Sequence, residues 1–441
     1  MLDRHLRCSR RKFLASAAGL ALAGGIAHAD GPDAPPTANR GFLPPSVQGR
    51  KPIAVVATVY RPLSHAYHIA GRFLYGYTLA GQPHTPKFYV ASMYVDQTPD
   101  NDLSGDAAKD CGVRLARNIA DALLVDGKLA VEGVLLIGEH GNYPRNDNGQ
   151  ILYPRLEMME QIAAAFRKAG RSVPVFNDKH LSYTFANAKK MIGWSEELKY
   201  PLMAGSSLPV TWRRPGLEPR LETPFEEGLV ACYGPLEVYG FHGLEALQVM
   251  LERRKGGETG VKAVQCLTGK DVWKAGDAGR WSWDLLDAAL SRSETVNLGD
   301  VRKNVGSMSV QGMPQTPAAA FLIEYRDGTR GTVLLLNGHV QDFTFAGRIR
   351  GEAKPASCLF LLPPPPGARY FDALTFNIEK MLETGKPPTP IQRTLLTTGV
   401  LDGLMTSHAR RDDRVETPEL STAYTAPADS GFLHGGVTAD S

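Results

Sequence analysis

Between residues 51 and 193 the sequence alternates short, unbroken apolar runs with stretches whose apolar residues recur at helical spacing. Residues 53–57 and 88–95 are apolar runs of strand length, the second ending at Asp96. Residues 64–79 read as a helix, and so do residues 107–124, with Val113, Ile119, Ala120, Leu123 and Leu124 as the apolar positions. A third strand is predicted over 131–137. Residues 154–169 form an amphipathic helix in which Leu156, Met159, Ala163 and Phe166 recur at helical spacing. Pro154 suits its first turn and Gly170 closes it. A fourth strand is predicted over 173–176, then a helix over 182–191 with Ser182 as N-cap.

Apolar strands that alternate with helices and carry no polar face predict a parallel, doubly wound sheet covered on both sides. Ligands bind such sheets beyond the carboxyl ends of the strands, here the loops after Ala57, at Asp96, after Ile137 and after Phe176. After Gly193 the rhythm changes. Residues 201–206, 228–233 and 259–267 read as strands, with a helix over 240–254. Further strands follow at 321–325, 332–336, 342–349 and 357–361, with Asp327-Gly328 as a hairpin turn. Helices over 370–384 and 390–409 then return toward the core. This half reads as α+β with a mostly antiparallel sheet. The expected divisions are 49–193 for the first domain, 194–410 for the second and 411–441 for an irregular tail. There are no internal repeats.

The N-terminal segment reads as an address. Ser9-Arg10-Arg11-Lys12-Phe13-Leu14 resembles a twin-arginine export signal, a small-residue apolar run follows, and Ala27-His28-Ala29 fits a cleavage site. Residues 1–29 are therefore expected to be removed, and residues 30–48, rich in Pro and Gly, to form an extended arm. The expected location is periplasmic or otherwise exported. Those 29 residues hold five basic side chains and one acid, so the formal charge of +3 for the whole chain becomes −1 without them. Near-neutrality argues against nucleic acid as a partner. No apolar run of membrane-spanning length occurs, so no membrane association is expected after cleavage. Five cysteines without Cys-x-x-Cys spacing exclude a disulfide scaffold and a thiolate zinc site.

Candidate chemistry is confined to a few places. In Asn177-Asp178-Lys179-His180 a buried strand runs into a dense polar group, placed either to meet a ligand or to form a solvated loop. A lysine there can donate a proton or hydrogen bond to a substrate hydroxyl. His242 and Glu245 lie three apart on one predicted helix, with Leu244, Leu247 and Leu251 as its core stripe. They form either a tuned general base or a structural pair. The loop Thr58-Val59-Tyr60-Arg61-Pro62-Leu63-Ser64 has none of the glycines that let a dinucleotide pyrophosphate approach a helix N-terminus. Asp96 falls where an acidic ribose-binding residue would stand, or is a plain turn residue. His65 and His68 share a helical face and His84, His140 and His180 lie near in sequence, but no ligand spacing marks a metal site, and none is expected. No Gly-x-Ser-x-Gly elbow suggests a serine hydrolase.

From about Lys51 to Pro418 the chain resembles the Gfo/Idh/MocA oxidoreductase family. The resemblance rests on VPVFNDKHLSYTFANAKKM, GFHGLEALQVMLERRKGGETGV and the closing helices that begin FDALTFNIEKMLETGKPPTPIQ. It implies a Rossmann-like doubly wound sheet followed by an α+β domain with a large, mostly antiparallel open sheet, through which family members often assemble. It further implies hydride transfer between NAD or NADP and a sugar- or cyclitol-type alcohol. Lys179 would be the lysine of the family's Glu-Lys-Pro motif and His242 its acid/base, with Glu245 the following acid. Thr58, Val59, Tyr60, Asp96, His140, Asp178 and Lys179 would line the cofactor. Asp178 and His180 stand where the family has Glu and Pro, and Val238, beside Glu237, where it has an Asp. Bulky Val59 and Tyr60 are expected to crowd a conventional pyrophosphate. The alternative reading is a family member that binds a carbohydrate-like ligand without redox turnover.

Overall fold

The structure is a computed structural model that describes residues 43–309 and 315–434, all within one unit spanning Phe42–Ser441. The export signal and most of the arm lie outside the described residues.

The first layer is a six-stranded, all-parallel sheet. Its strands are β1 (Lys51–Ala57), β2 (Phe88–Val95), β3 (Arg114–Leu115), β4 (Val134–Ile137), β5 (Val175–Asp178) and β6 (Leu202–Gly205), in the order β6-β5-β4-β1-β2-β3. β1 and β4 form its centre, and Ile53 through Ala57 are fully buried, as a strand covered on both faces requires. Helix α1 (His65–Tyr75) follows β1, capped by the Ser64 hydroxyl, which accepts from the Tyr67 amide at 3.2 Å. Helix α2 (Arg155–Ala169) buries Met158, Met159, Ile162 and Phe166, and Gly170 ends it in the left-handed region. Helix α3 is Phe185–Leu198.

Four boundaries differ from the sequence expectation. The helix predicted to Leu79 stops at Tyr75, where Gly76 turns the chain into a hairpin of Tyr77–Leu79 and Gln82–His84. The helix predicted over 107–124 is broken at Gly112, φ +68°, into Ser104–Cys111 and Ile119–Leu123, with β3 between them. Helix α3 is capped by Thr184, whose hydroxyl accepts from Asn187, and not by Ser182. The Leu181 amide instead donates to the Thr398 hydroxyl, which ties this stretch to the C-terminal half before the helix begins. The strand at 201–206 is β6, paired in parallel with β5 from Leu202↔Val175 to Gly205↔Asp178, so the first sheet runs past residue 193.

The second sheet has eight strands: β7 (Arg213–Arg214), β8 (Phe225–Cys232), β9 (Val261–Thr268), β10 (Ala319–Tyr325), β11 (Arg330–Leu335), β12 (Phe343–Ile349), β13 (Ala356–Phe360) and β14 (Val415–Glu416). They run in the order β7-β13-β12-β8-β11-β10-β9-β14, antiparallel except for the parallel pair β8–β11. β14 brings the predicted irregular tail into the sheet. One face is covered by α4 (Val238–Leu251) and α8 (Ile391–Ala409). The other is covered by α5 (Lys270–Asp277) and α6 (Trp283–Leu290), with Trp281 fully buried between them and the sheet. Helix α7 (Tyr370–Thr384) crosses back: Phe371, Leu374, Ile378 and Met381 pack in one cluster with Val55, Phe73 and Phe88. This return brings α4 and α7 to the carboxyl ends of β1, β4 and β5. Cys111, Cys232, Cys266 and Cys358 are free, and no helix among the described residues is long and apolar enough to cross a membrane.

Candidate functional site

Lys179 follows the end of β5 in the left-handed region, φ +61°, with its amide donating to the Gly205 carbonyl at 3.0 Å. That backbone turn sends its side chain toward the neighbouring strand. Nζ stands 3.0 Å from Oε1 of Glu139, just past the end of β4. The other Glu139 oxygen meets Arg155 at 2.5 Å, and Arg155 reaches His180 Nε2 at 3.0 Å. Arg155 passes beneath Gly138, where an added Cβ would lie 2.7 Å from its Cγ, so only glycine fits. Thr58 donates to the Glu139 carbonyl at 2.7 Å and ties the first loop to the same place. Burial alone would raise the Glu139 carboxyl. The adjacent Lys179 and Arg155 outweigh it and hold that carboxyl well below its ordinary range. Burial, then Arg155, holds His180 neutral.

Beyond Lys179 opens a cavity of about 590 Å³ between the first sheet and the second domain. Its wall includes His65, His68, His140, Lys179, Tyr239 and His242. Burial, and then the Lys179 ammonium and His65, hold His242 well below the ordinary histidine range. Burial and His65 push His140 down to about 3, and burial and Arg72 push His68 down to about 4. A lysine therefore faces neutral imidazoles. His65 makes a 2.7 Å contact from Nδ1 to Oδ2 of Asp178, and its ring lies 5.2 Å from that of His140 and 6.5 Å from that of His242. Asp178 Oδ1, His140 Nδ1 and His242 Nδ1 are buried without a hydrogen-bond partner among the described residues, as are Asn177 Oδ1 and His180 Nδ1.

The remaining predicted residues separate from this cluster. Glu245 does not pair with His242. It accepts from the Ser206 amide at 3.2 Å and the Thr397 hydroxyl at 2.9 Å, and burial pushes its carboxyl up to about 6. Helix α4 is buried on every side from Gly240 to Leu251, so residues three apart meet different neighbours rather than one open face. Glu237 accepts the Ile151 amide, and burial pushes it up to about 7. Tyr60 does not crowd the strand ends, since its ring is 2% exposed and packs in the core with Phe73 and Val113.

Val59 lines a second cleft of about 430 Å³, with Arg61, Gln97, Thr98, Gly141 and Asn142. Asp96 is taken up by two hydroxyls, Tyr94 at 2.9 Å and Tyr143 at 2.7 Å. The sequence reading weighed His65 only as a metal ligand and did not single out Glu139 or Arg155. Gly138-Glu139-His140 after a buried strand carries the same signal that singled out Asn177-Asp178-Lys179, and would have located Glu139.

The residues present fit a nicotinamide dinucleotide laid across the strand ends. The 430 Å³ cleft, with the Arg61 cation, meets the ends of β1 and β2, and the 590 Å³ cavity meets those of β4 and β5. The first loop turns its bulkiest ring inward. Asp96 is the exception, its oxygens being occupied.

No protein-family model matches the sequence, and no curated protein does. Solved structures do. GenD2 from gentamicin A biosynthesis, in complex with NAD, is 14% identical with a TM-score of 0.53, covering 86% of this chain and 99% of its own. Myo-inositol dehydrogenase from Lactobacillus casei, in complex with NAD(H) and myo-inositol, is 10% identical with a TM-score of 0.51, covering 83% and 97%. A probable dehydrogenase from Thermotoga maritima is 11% identical with a TM-score of 0.50, covering 84% and 99%. At such identities the likeness speaks for the fold. A parallel Rossmann-like sheet, followed by a large and mostly antiparallel one, gives this chain the two-domain fold of the Gfo/Idh/MocA-type dehydrogenases.

Proposed function

We propose that this chain is an oxidoreductase that passes hydride between NAD or NADP and an alcohol carbon of a sugar- or cyclitol-like substrate, with Lys179 and His242 at the reacting end. The observation that carries the reading is that Lys179 and His242 line one cavity at the carboxyl ends of the central strands, reached from two different domains. The nicotinamide would supply the hydride acceptor or donor. Arg61 and the cleft beside it would hold the phosphates, and Thr58 keeps that loop on Glu139. Lys179, fixed by Glu139, presents an ammonium to a substrate hydroxyl. The neutral rings of His140 and His242 offer further hydrogen bonds without competing charge.

A second reading, a carbohydrate-like ligand bound without redox turnover, is favoured by two observations: both Asp96 oxygens carry tyrosine hydroxyls, and the first loop has no glycine. One experiment separates the two. Absorbance and mass spectra of protein purified without added cofactor, followed by titration with NAD and NADP, show a bound dinucleotide under the first reading. No dinucleotide and no binding leave the second.

The proposal extends to location. The twin-arginine-like Ser9–Leu14 segment supports export, with a mature chain that begins at Asp30. Intact mass of the exported form tests it, and a mass that includes residues 1–29 overturns it.

A further inference from the structure

His242 is held neutral beside an ammonium and has no carboxylate on its ring, which makes it a poor acceptor for a substrate proton. We propose that His65, oriented by Asp178, is the group that takes the substrate's proton and returns it. The chemistry assigned to His65 rests on the hydride-transfer reading, whereas the His65–Asp178 geometry stands apart from it.

His65 is the first residue of α1, and its ring lies in the cavity wall between those of His140 and His242, with Phe371 edge-on at 5.1 Å. Its side chain keeps 14% of its surface exposed, whereas the Asp178 side chain has none. The 2.7 Å contact from Nδ1 to Asp178 Oδ2 puts the ring proton on Nδ1 and leaves Nε2 as the acceptor. The buried carboxylate then stabilises the imidazolium that forms, the arrangement by which a carboxylate and a histidine share general-base work elsewhere.

Among the described histidines of this wall, His65 alone has a carboxylate partner. His84 pairs with Glu379 and His408 with Asp412, but neither residue lines the cavity. The charged and titratable groups facing His65 come from every neighbouring element. Asp178 and Lys179 lie at the end of β5, Glu139 and His140 after β4, His242 on α4 and His68 on α1. Two carboxylates, Asp178 and Glu139, and one ammonium, Lys179, thus stand among these groups.

In the oxidation direction the substrate O–H bond breaks and its proton passes to Nε2. The pair left on oxygen forms the carbonyl as the carbon loses hydride, for which a nicotinamide dinucleotide is the acceptor. Asp178 is a positioning residue in this scheme.

The test uses the full mature chain labelled with ¹⁵N-histidine. Long-range ¹H–¹⁵N spectra near neutral pH are assigned by the resonance lost in His65→Gln. The expected result is that this ring carries its proton on Nδ1, and that Asp178→Asn redistributes it between the two nitrogens. A proton on Nε2, or a tautomer indifferent to Asp178→Asn, overturns the proposal. The wild-type and His65→Gln spectra decide the tautomer even if Asp178→Asn fails to fold.

Where turnover is measured, Asp178→Asn is expected to lower kcat by about 100-fold or more with KM little changed. Full kcat in His65→Gln overturns the assignment. The dyad signature in a protein that binds neither NAD nor NADP overturns the hydride-transfer reading and leaves the His65–Asp178 geometry standing.

Discussion

Lys179 Nζ and Glu139 Oε1 are 3.0 Å apart at the ends of two adjacent strands, both side chains at most 3% exposed. Arg155 holds the second oxygen of the same carboxylate, so one buried anion is shared by two buried cations. That arrangement sets the position of the cavity's lysine.

Glu139→Gln removes the anion and leaves both cations buried without charge balance. The expected loss is about 3–5 kcal/mol in urea unfolding near neutral pH. Because Lys179 and Arg155 hold the Glu139 carboxyl below its ordinary 4.5, its contribution is full above that value and is lost as pH falls through the folded-state value. The variant should therefore show a flatter acid limb than the wild type. A loss below about 1 kcal/mol contradicts the pairing.

Glu245 gives the opposite sign. Burial pushes its carboxyl up to about 6 from 4.5, so its contribution is full below 4.5 and is lost as pH rises through about 6. Glu245→Gln mimics the protonated form and keeps an acceptor for Ser206. It should be more stable than the wild type above neutrality by up to about 2 kcal/mol, with the difference vanishing near pH 4. Unfolding curves across pH check this, and destabilisation at all pH values contradicts it.

Tyr143→Phe frees Oδ2 of Asp96 beside the 430 Å³ cleft. If ribose hydroxyls bind there, calorimetric affinity for NAD rises about fivefold, the worth of one hydrogen bond of about 1 kcal/mol. Unchanged affinity removes Asp96 from the cofactor site.

Gly234 lies at φ +103°, and a Cβ there would stand 2.1 Å from Cγ of Tyr239, a cavity-wall residue. Gly234→Ala should cost about 2–4 kcal/mol, through both the backbone angle and the collision. Adding Tyr239→Ala should recover part of that loss, a coupling read from a double-mutant cycle. Strict additivity of the two changes would place the strain elsewhere.

Much of the architecture was legible from local pattern. Residues 370–384 were read as a helix and are α7, because apolar spacing and Gly385 at its end act within a few residues. The apolar runs at 53–57 and 88–95 became β1 and β2 for the same reason. Lys179 was singled out because a polar group after a buried strand is a local signal. Helix 107–124 was misread because Gly112 sits inside an otherwise helical pattern, and a glycine's left-handed turn leaves no mark on hydrophobic spacing.

The amino-acid pattern by itself determined the alternation of strands and helices and the strand ends where polar residues gather. The tertiary structure alone decided what those residues touch. His65 meets Asp178 across 113 positions, and Arg72 on α1 meets Asp372 on α7 across 300. Glu245 turns to Thr397 because α4 is enclosed on all sides, so helical spacing could not say which neighbour each face would meet. Hydrophobic periodicity acts between residues a few positions apart, whereas ion pairs and hydrogen bonds between elements depend on how the layers close. That closure is what makes one cavity from two domains.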